Sequence, residues 1–341
     1  MAINVTAAYA VHETSQIAGP RRAALELAQQ SGFSEERAGK VALVVTELAT
    51  NLAKHATGGE VVFRRIRDID GGSNAHGIEI LAIDRGPGMG DVVGARQDGY
   101  STAGTLGHGL GSIERQSDFF QIFSLPSGTV ALARLWSEPR PVVARKPPFE
   151  IGAVQVSHPN EEICGDDWDG TMREDRFAVL VADGLGHGLH AHDAAAAAVA
   201  VFRRLADQSP SRVITEVHAA LRPTRGAAVA IAEVDTSRRV VNYCGVGNIG
   251  AVVLSAHGSE RHGMISQNGT AGHVAPRIHE FTYPVPPQSM IVMFSDGLAS
   301  QWTLSAYPGL STRHPSVIAG VLYRDFSRRR DDVTIVVAKS R

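Results

Sequence analysis

Cysteine is scarce in this sequence, which has only Cys164 and Cys244 among its 341 residues. Two cysteines are too few for a disulfide framework, and their scarcity favours a reducing compartment. The formal net charge is only −2, so no excess of one sign attracts nucleic acid or anionic lipid. The longest apolar run, residues 194–202, is about half the ~20 residues that cross a bilayer as a helix. The N-terminus also lacks the pattern of a secretory signal. We therefore expect a cytoplasmic protein that binds neither nucleic acid nor membrane.

A proline-rich segment divides the sequence into two parts. A chain of 341 residues exceeds what one hydrophobic core usually organises, so two domains are expected. Residues 137–148 hold four prolines in twelve residues, which prevents a helix and favours an extended linker. We predict a first domain at 1–136, a linker at 137–147 and a second domain at 148–341.

Hydrophobic periodicity predicts an α+β protein in both parts. Before the linker, helical patterns cover residues 20–31 and 34–55, and strand-like runs cover 61–66 and 78–83. A short helix is predicted near 111–116 and a strand pair around 127–129. After the linker, strands outnumber helices. Strands are predicted there at 177–182, 227–234, 240–243, 251–254, 290–294 and 333–338, with helices at 191–207, 212–221 and 314–326.

Polar residues in the first part follow an ordered pattern. Glu47 and Asn51 lie one turn apart on a predicted helix, which taken alone is also typical of a solvated helix face. Asp84 follows a predicted strand directly and opens a segment in which Gly86 and Gly88 allow close backbone approach to a ligand. A second glycine series then leads into a helix, whose free N–H groups favour phosphate. That series is Gly107, Gly109 and Gly111.

This order of motifs, with Gly128-Thr129 at its end, resembles the GHKL ATPase fold of histidine kinases and gyrase, and within it the serine kinases of the bacterial stressosome. The resemblance spans nearly all of residues 1–136 and implies a Bergerat-type α/β sandwich that binds ATP with Mg²⁺. By it, Asn51 would hold the magnesium ion and Asp84 would read the adenine amino group. The glycines and Thr129 would complete the nucleotide site. Glu47 would orient or deprotonate the attacking serine.

Aspartates in the second part stand at the ends of strand-like runs. They occur in Gly165-Asp166-Asp167, Asp183-Gly184, Asp296-Gly297 and Asp331-Asp332. A single Asp-Gly pair is more typical of a turn. Four such sites in one domain suggest that the carboxylates converge. Carboxylate oxygens suit Mg²⁺ or Mn²⁺, and two such ions can activate a water and hold a phosphate for in-line attack.

These motifs resemble the SpoIIE-type branch of the PP2C metal-dependent protein phosphatases, over roughly residues 148–341. Further shared segments are Ala182-Asp-Gly-Leu-Gly-His-Gly188, Gly245-Val-Gly-Asn-Ile249, Asn268-Gly-Thr-Ala-Gly272 and Arg330-Asp-Asp-Val-Thr334. The resemblance implies a β-sandwich flanked by helices, with two Mn²⁺ or Mg²⁺ ions and direct attack of a hydroxide on a phosphoserine. The implied ligands are Asp166, Asp183, Asp296, Asp331 and the backbone carbonyl of Gly184. Of these, Asp183 and Asp296 are also expected to be catalytic, and Asp331 is favoured over Asp332 because it takes the first position of its motif.

Three histidines follow Asp183 closely, namely His187, His190 and His192. A zinc site is disfavoured, because no matching set of ligands occurs elsewhere in the sequence. His187 could act as a general acid, although eukaryotic PP2C enzymes carry their histidine directly after Asp-Gly, where this sequence has Leu185. Cys164 is interpreted as a small buried residue rather than a redox sensor.

Together, the two resemblances imply a bifunctional switch protein. Its serine kinase and protein serine/threonine phosphatase activities would act on STAS-domain phosphoproteins of a stressosome-like pathway. The alternative is a phosphatase only, with the first domain sensing ATP or docking a partner. A kinase and a phosphatase with one target would cycle ATP futilely unless one is gated or their substrates differ.

Overall fold

The computed structural model describes residues 6–67, 76–91, 94, 109–139, 147–173, 175–255, 260–275 and 277–341. The chain divides between residues 144 and 145 into two compact units. Most of the predicted linker, residues 140–146, lies outside the described ranges. None of the helices in those ranges has the length and apolar character needed to cross a membrane.

The N-terminal unit has helices against one antiparallel five-stranded sheet, with strand order β1-β2-β3-β5-β4. Its strands are β1 (Thr6–Val11), β2 (Gly59–Arg67), β3 (His76–Ile83), β4 (Phe119–Leu125) and β5 (Gly128–Trp136). Its helices are α1 (Ala18–Gln30), α2 (Glu35–His55) and α3 (Gly109–Gln116), preceded by a 3₁₀ turn at Thr14–Ile17.

Helix α2 is the central element of this unit. Ser34 caps it by accepting a hydrogen bond from the Arg37 backbone N–H at 3.3 Å, and acidic residues occupy its first turn, where the helix dipole favours them. Its apolar stripe, which includes Val41 and Leu48, is buried in a core shared with α1 and the sheet. The opposite side carries Glu47 and Asn51, both half-buried. Packing of one face therefore leaves the predicted polar stripe available for a ligand.

The C-terminal unit has two antiparallel five-stranded sheets, ordered β13-β10-β9-β8-β7 and β12-β11-β14-β15-β6. The strands are β6 (Phe149–Val156), β7 (Asp166–Arg173), β8 (Arg176–Gly184), β9 (Ala227–Asp235), β10 (Val240–Val246), β11 (Gly250–Leu254), β12 (Arg261–Gly263), β13 (Phe281–Pro284), β14 (Met290–Phe294) and β15 (Val333–Ser340). The helices are α4 (Leu189–Arg204), α5 (Pro210–Ala220) and α6 (Pro315–Phe326), with 3₁₀ turns at Leu304–Ala306 and Leu310–Thr312. The expected fold class, an α/β sandwich followed by a PP2C-like β-sandwich with flanking helices, is confirmed.

Alternation along β8 shows how the sandwich is built. Val179 and Val181 belong to the core between the two sheets, whereas Leu180 and Ala182 belong to a second core with α4 and α5. Successive side chains of a strand point to opposite faces. Asp183 therefore continues the inter-sheet face at the end of the strand. This places a carboxylate at one end of the sandwich.

Several strands have no counterpart among the sequence-based expectations, namely β1, β6, β7, β12 and β13. The most informative is β7, which begins with Asp166 and is rich in acidic residues, a composition that strands usually avoid. It is an edge strand, and Asp169 within it pairs with Arg203 of α4. The ion pair between Asp169 and Arg203 offsets the low strand propensity of the acidic residues in β7.

Helix α6 lies so close to β6 that it leaves no room for a side chain at Gly152. A Cβ there would overlap the backbone nitrogen of Ser316. We expect Gly152→Ala to lower the free energy of unfolding by about 1–3 kcal/mol, because overpacking forces the backbone to shift. Urea unfolding measures this. Gly263→Ala is the matched control, since its Cβ would meet nothing within 4 Å; equal stability of both variants would contradict the close packing.

Candidate functional site

Two carboxylates face each other across the hairpin of β7 and β8. Asp166 and Asp183 are directly opposed in the register of this antiparallel pair. Opposed residues point to the same face with their Cβ atoms about 5 Å apart. Asp166 is fully buried and Asp183 is half-buried. The hairpin thus brings two of the predicted ligands to the end of the inter-sheet core.

The second sheet supplies further carboxylates to the same end. Asp296 follows β14 and Asp331 precedes β15, and these two strands are neighbours. Asp183, Asp296 and Asp331 line one open pocket of about 680 Å³. Arg330 and Asn268 are also in its wall. The structure therefore brings together the predicted aspartates from both sheets.

Asp331 and Asp332 have different surroundings. Asp331 is half-buried and lines the pocket. Asp332 is 3% exposed, and its Oδ1 accepts a hydrogen bond from the backbone N–H of His158 at 2.8 Å. Asp332 therefore joins the loop after β6 to the start of β15. This arrangement supports the preference for Asp331 as the pocket ligand.

Gly184 lies on the opposite face of β8 from Asp183, where α4 begins. A Cβ at Gly184 would overlap the backbone carbonyl of Ala191. Only glycine fits between the strand and the helix at this point. The close packing holds the backbone of residues 183 and 184 at the end of the strand, next to the pocket.

Burial and the crowding of like charges raise the pKa values of the aspartates. Burial, followed by the charges of Asp296, Asp331 and Asp332, raises the pKa of Asp183 to about 8. Burial, followed by the charge of Asp183, raises the pKa of Asp166 well above its ordinary range. The pKa of Asp296 is also raised, first by burial and then by Asp331. Each of these shifts would be relieved by a nearby cation.

The site fits divalent metal ions by two observations. Asp166 Oδ1 is buried and has no hydrogen-bond partner, and hard carboxylate oxygens are the donors that Mg²⁺ and Mn²⁺ prefer. Within the described part of the chain, no three His, Cys, Asp or Glu side chains are yet close enough to hold one ion. Metal binding would therefore require these carboxylates to move closer together.

Three residues that support the aspartates were not among the predicted site residues. Ser295 Oγ donates to Asp166 Oδ2 at 2.7 Å, and Gln155 Nε2 donates to the Asp166 carbonyl at 2.6 Å. Asn248 Nδ2 donates to Asp296 Oδ2 at 2.7 Å. Asn248 and Ser295 lie in segments that carry the family resemblance, Gly245–Ile249 and Ser295–Gly297, but Gln155 has no sequence signal of its own. Only the packing of the two sheets brings them to the carboxylates.

The three histidines after Asp183 have three different neighbours. His187 Nδ1 lies 2.6 Å from Glu161 Oε1, His190 Nδ1 lies 4.0 Å from Asp193 Oδ2, and His192 Nδ1 lies 3.1 Å from the Cys164 carbonyl. These three side chains do not converge on one point.

Cys164 is half-buried in the loop before β7, and its carbonyl lies 3.1 Å from Nδ1 of His192 in helix α4. Burial, followed by the charges of Asp166 and Asp332, raises the pKa of its thiol well above the ordinary value. A protonated thiol is a poor nucleophile and metal ligand. This fits the interpretation of Cys164 as a packing residue.

In the N-terminal unit, Asp84 is held at the end of β3 by the backbone. Its Oδ1 accepts hydrogen bonds from the N–H groups of Gly86 at 2.7 Å and Thr129 at 3.2 Å. The chain turns sharply at Gly88, which has φ +70° and leaves no room for a Cβ against the Leu125 carbonyl. Thr129 is buried, and its hydroxyl lies 3.0 Å from Ser124 Oγ. The carboxylate is thereby fixed in orientation, as recognition of a base amino group requires.

The phosphate end of the predicted nucleotide site is described in part. Gly109 begins α3, and a Cβ on it would lie 3.3 Å from Asn51 Oδ1. Gly111 is buried in the same helix. Glu47 lies one turn before Asn51 on α2. Gly107 lies outside the described residues.

The C-terminal β-sandwich, with aspartates from both sheets around an open pocket, defines a metal-dependent protein serine/threonine phosphatase of the PP2C type, joined here to an ATPase-like α/β unit. Comparison with known families agrees with both assignments. Residues 11–134 match the histidine kinase-like ATPase domain, and residues 173–341 match the stage II sporulation protein E (SpoIIE) family.

Two Bacillus subtilis proteins resemble the two halves. The serine/threonine-protein kinase RsbT is 31% identical over 121 residues, which are 35% of this chain and 88% of RsbT. The phosphoserine phosphatase RsbX is 26% identical over 145 residues, which are 42% of this chain and 72% of RsbX. Similarity to a kinase and to a phosphatase in one chain supports a regulator of the partner-switching type.

This chain is also similar to a solved structure described as the bacterial stressosome, a modular system that has been adapted to control secondary messenger signaling. It has a TM-score of 0.52 and 25% identity, and the match covers 56% of this chain and 98% of that one.

The raised pKa values of the aspartates predict how the free energy of unfolding depends on pH when no metal is bound. Unfolded Asp183 ionises near 3.8, whereas the folded carboxyl ionises near 8. Between these values the unfolded state releases a proton that the folded state keeps, so the free energy of unfolding falls as the pH rises from about 4 to about 8. The decrease is on the order of a few kcal/mol.

Urea unfolding in EDTA at pH 5 and pH 8 measures this decrease. Asp183→Asn removes one of the titrating groups and a charge that raises the pKa of Asp166, so the dependence on pH should become smaller. The control Asp193→Asn, on the exposed side of α4, should leave it unchanged. A dependence that Asp183→Asn does not alter would contradict the assignment.

Proposed function

We propose that this chain is a bifunctional switch protein. Its C-terminal unit would remove phosphate from serine or threonine of a partner protein, and its N-terminal unit would transfer phosphate from ATP to serine. The observation that carries the proposal is the convergence of Asp183, Asp296 and Asp331 on one open pocket. An open pocket suits a phosphoserine that is presented on a folded protein.

In the phosphatase unit, we assign the metal-binding role to Asp166, Asp183, Asp296, Asp331 and the Gly184 carbonyl. Two Mn²⁺ or Mg²⁺ ions held there would supply charge neutralisation and an activated water. Ser295 and Asn248 orient the carboxylates of Asp166 and Asp296 through their hydrogen bonds. Arg330, in the pocket wall, offers a positive charge to the incoming phosphate.

In the kinase unit, we assign ATP binding with Mg²⁺ to the site between α2, β3 and α3. Asp84 would accept the adenine amino group, because the N–H groups of Gly86 and Thr129 fix its carboxylate. Asn51 would hold Mg²⁺ beside Gly109, and Glu47 would orient the attacking serine. Phosphoryl transfer depends mainly on such positioning and on charge neutralisation. Gly88, Gly107 and Gly111 complete the proposed site.

We propose STAS-domain phosphoproteins of a stressosome-like pathway as substrates. The support is that one relative is a serine/threonine kinase and another a phosphoserine phosphatase, and that a similar solved chain is described with the stressosome. Opposed activities on one target would waste ATP unless they act under different conditions or on different partners.

Phosphatase activity is tested first by replacing Asp183. The purified chain with Mn²⁺ should release phosphate from a phosphorylated STAS-domain protein. Asp183→Asn should lower this rate by more than about 100-fold, because it removes a charge from the proposed metal site. Asp193→Asn is the matched control and should retain activity. No release by the unaltered chain would contradict the phosphatase assignment.

Kinase activity is tested in a chain that already carries Asp183→Asn, so that phosphate is not removed again. With ATP and Mg²⁺, this chain should phosphorylate an unphosphorylated STAS-domain protein. Adding Glu47→Gln should lower incorporation by about 100-fold or more, and Asn51→Ala should weaken nucleotide binding. The control Glu36→Gln replaces an exposed glutamate of the same helix. ATP binding without incorporation would favour the alternative, in which the N-terminal unit only senses ATP or docks a partner.

A further inference from the structure

A second groove adjoins the phosphatase pocket. It has a volume of about 490 Å³ and is lined by residues 265–268 together with Arg277 and His279. Asn268 lies in the wall of this groove and also in the wall of the pocket that Asp183 lines. The two depressions therefore meet at Asn268. No residue of the groove wall is among the proposed metal ligands, so the groove needs a different explanation.

Hydrogen bonds fix the first wall segment, residues 265–268, to the sandwich. The Gln267 N–H donates to the Gly245 carbonyl at 2.9 Å, and the Gln267 carbonyl accepts the Gly247 N–H at 2.8 Å. Ser266 Oγ donates to the Ile249 carbonyl at 3.2 Å. This segment is therefore held against the end of β10 and the loop that follows it.

The chain then turns back and brings the second wall segment alongside the first. Thr270 and Val274 exchange two backbone hydrogen bonds, at 2.7 and 3.0 Å, which close the turn between the segments. With its amide nitrogen facing the Arg277 carbonyl, the Gln267 side chain donates to that carbonyl and accepts the N–H of His279 at 3.3 Å. The groove is therefore formed by the loop itself, before any ligand binds.

The side chains of the groove are apolar and cationic. Ile265 is 61% exposed, and Arg277 and His279 are exposed as well. None of the described residues that line the groove is acidic, so no carboxylate in its wall offsets the charge of Arg277. Glu280, which follows His279 in the chain, instead accepts the backbone N–H of Ser211 at 3.0 Å. The groove thus suits a segment that carries a carboxylate and some apolar surface.

The position of the groove relates it to the substrate of the neighbouring pocket. A phosphoserine among the pocket aspartates would carry its flanking residues past Asn268, which both depressions share. An extended chain advances about 3.3 Å per residue, so the groove receives residues that lie within a few positions of the phosphoserine. A guanidinium binds a carboxylate through two parallel hydrogen bonds, which makes Arg277 suited to select an acidic side chain there.

We propose that this groove is a specificity site for the substrate segment beside the phosphoserine, and that it selects an acidic side chain in that segment. Arg277 binds the substrate carboxylate, and Ile265 packs against the apolar part of the segment. The inference rests on the proposed phosphatase function and names a feature of the substrate that the metal site does not distinguish.

Phosphoserine peptides with one glutamate, placed in turn at each of the three positions on either side, test the proposal. With Mn²⁺, glutamate in at least one position should raise kcat/KM about fivefold over an alanine peptide, and lysine there should lower it. Arg277→Gln should remove this difference, and Arg277→Glu should reverse it, because the wall then repels glutamate and attracts lysine. The gain should lie in KM and diminish at high salt, since the groove is open to solvent.

A substrate without flanking residues separates the groove from the metal site. Hydrolysis of p-nitrophenyl phosphate should be the same in the unaltered chain and in both Arg277 variants. Arg238→Gln is the matched control, because it replaces an exposed arginine in the turn between β9 and β10, outside the lining of both depressions. It should keep the preference for glutamate. Urea unfolding of each variant shows whether the fold is intact.

Each outcome has a distinct meaning. A preference for glutamate that Arg277→Gln removes and Arg277→Glu reverses supports the specificity site. If no position prefers glutamate, if the preference survives in Arg277→Glu, or if p-nitrophenyl phosphate hydrolysis falls equally, the specificity site is overturned while the phosphatase function stands. If the unaltered chain hydrolyses neither p-nitrophenyl phosphate nor any phosphopeptide, the proposed function fails and the specificity site with it.

Discussion

The arrangement of the C-terminal unit depends on placing several carboxylates at one end of a β-sandwich. Asp166 and Asp183 come from one sheet, and Asp296 and Asp331 come from the other. Removing such groups from water disfavours their charged form, and their mutual repulsion adds to this cost. That is why the pKa of Asp183 rises to about 8. A divalent cation bound among these carboxylates would relieve the same repulsion, so the arrangement costs stability chiefly when no metal is bound.

The rest of the sandwich limits this cost and fixes the geometry. Ser295 Oγ donates to Asp166 and accepts the N–H of Thr334, so one buried hydroxyl links β7 to β15. Gly184 allows α4 to pack directly on the end of β8. Fixed backbones leave the carboxylates little freedom beyond rotation of their side chains. Such preorganisation from a supporting layer is what a metal site requires.

The N-terminal unit uses backbone donors for a similar purpose. Asp84 is held by the N–H group of Gly86, which follows it in the chain, and by that of Thr129 on the neighbouring strand. Asn51 and Glu47 are held by a helix whose other face is buried. In both units, residues far apart in the chain become neighbours because the ends of packed elements meet. The polar group at each such end is then available for a ligand.

The sequence by itself predicted the mixed fold, the polar stripe of α2 and the aspartates that stand at strand ends in the C-terminal unit. These features follow from local periodicity and from short motifs. The sequence predicted β8 from its apolar run but not β7, whose acidic residues are tolerated in a strand only because Asp166 faces the inter-sheet end and Asp169 pairs with a helix. The separation of Asp331 from Asp332 and the support from Ser295 needed the tertiary structure. So did the pairing of His187 with Glu161, which lie 26 residues apart in the chain. Loop conformation and sheet packing decide these contacts, and neither leaves a periodic signal in the sequence.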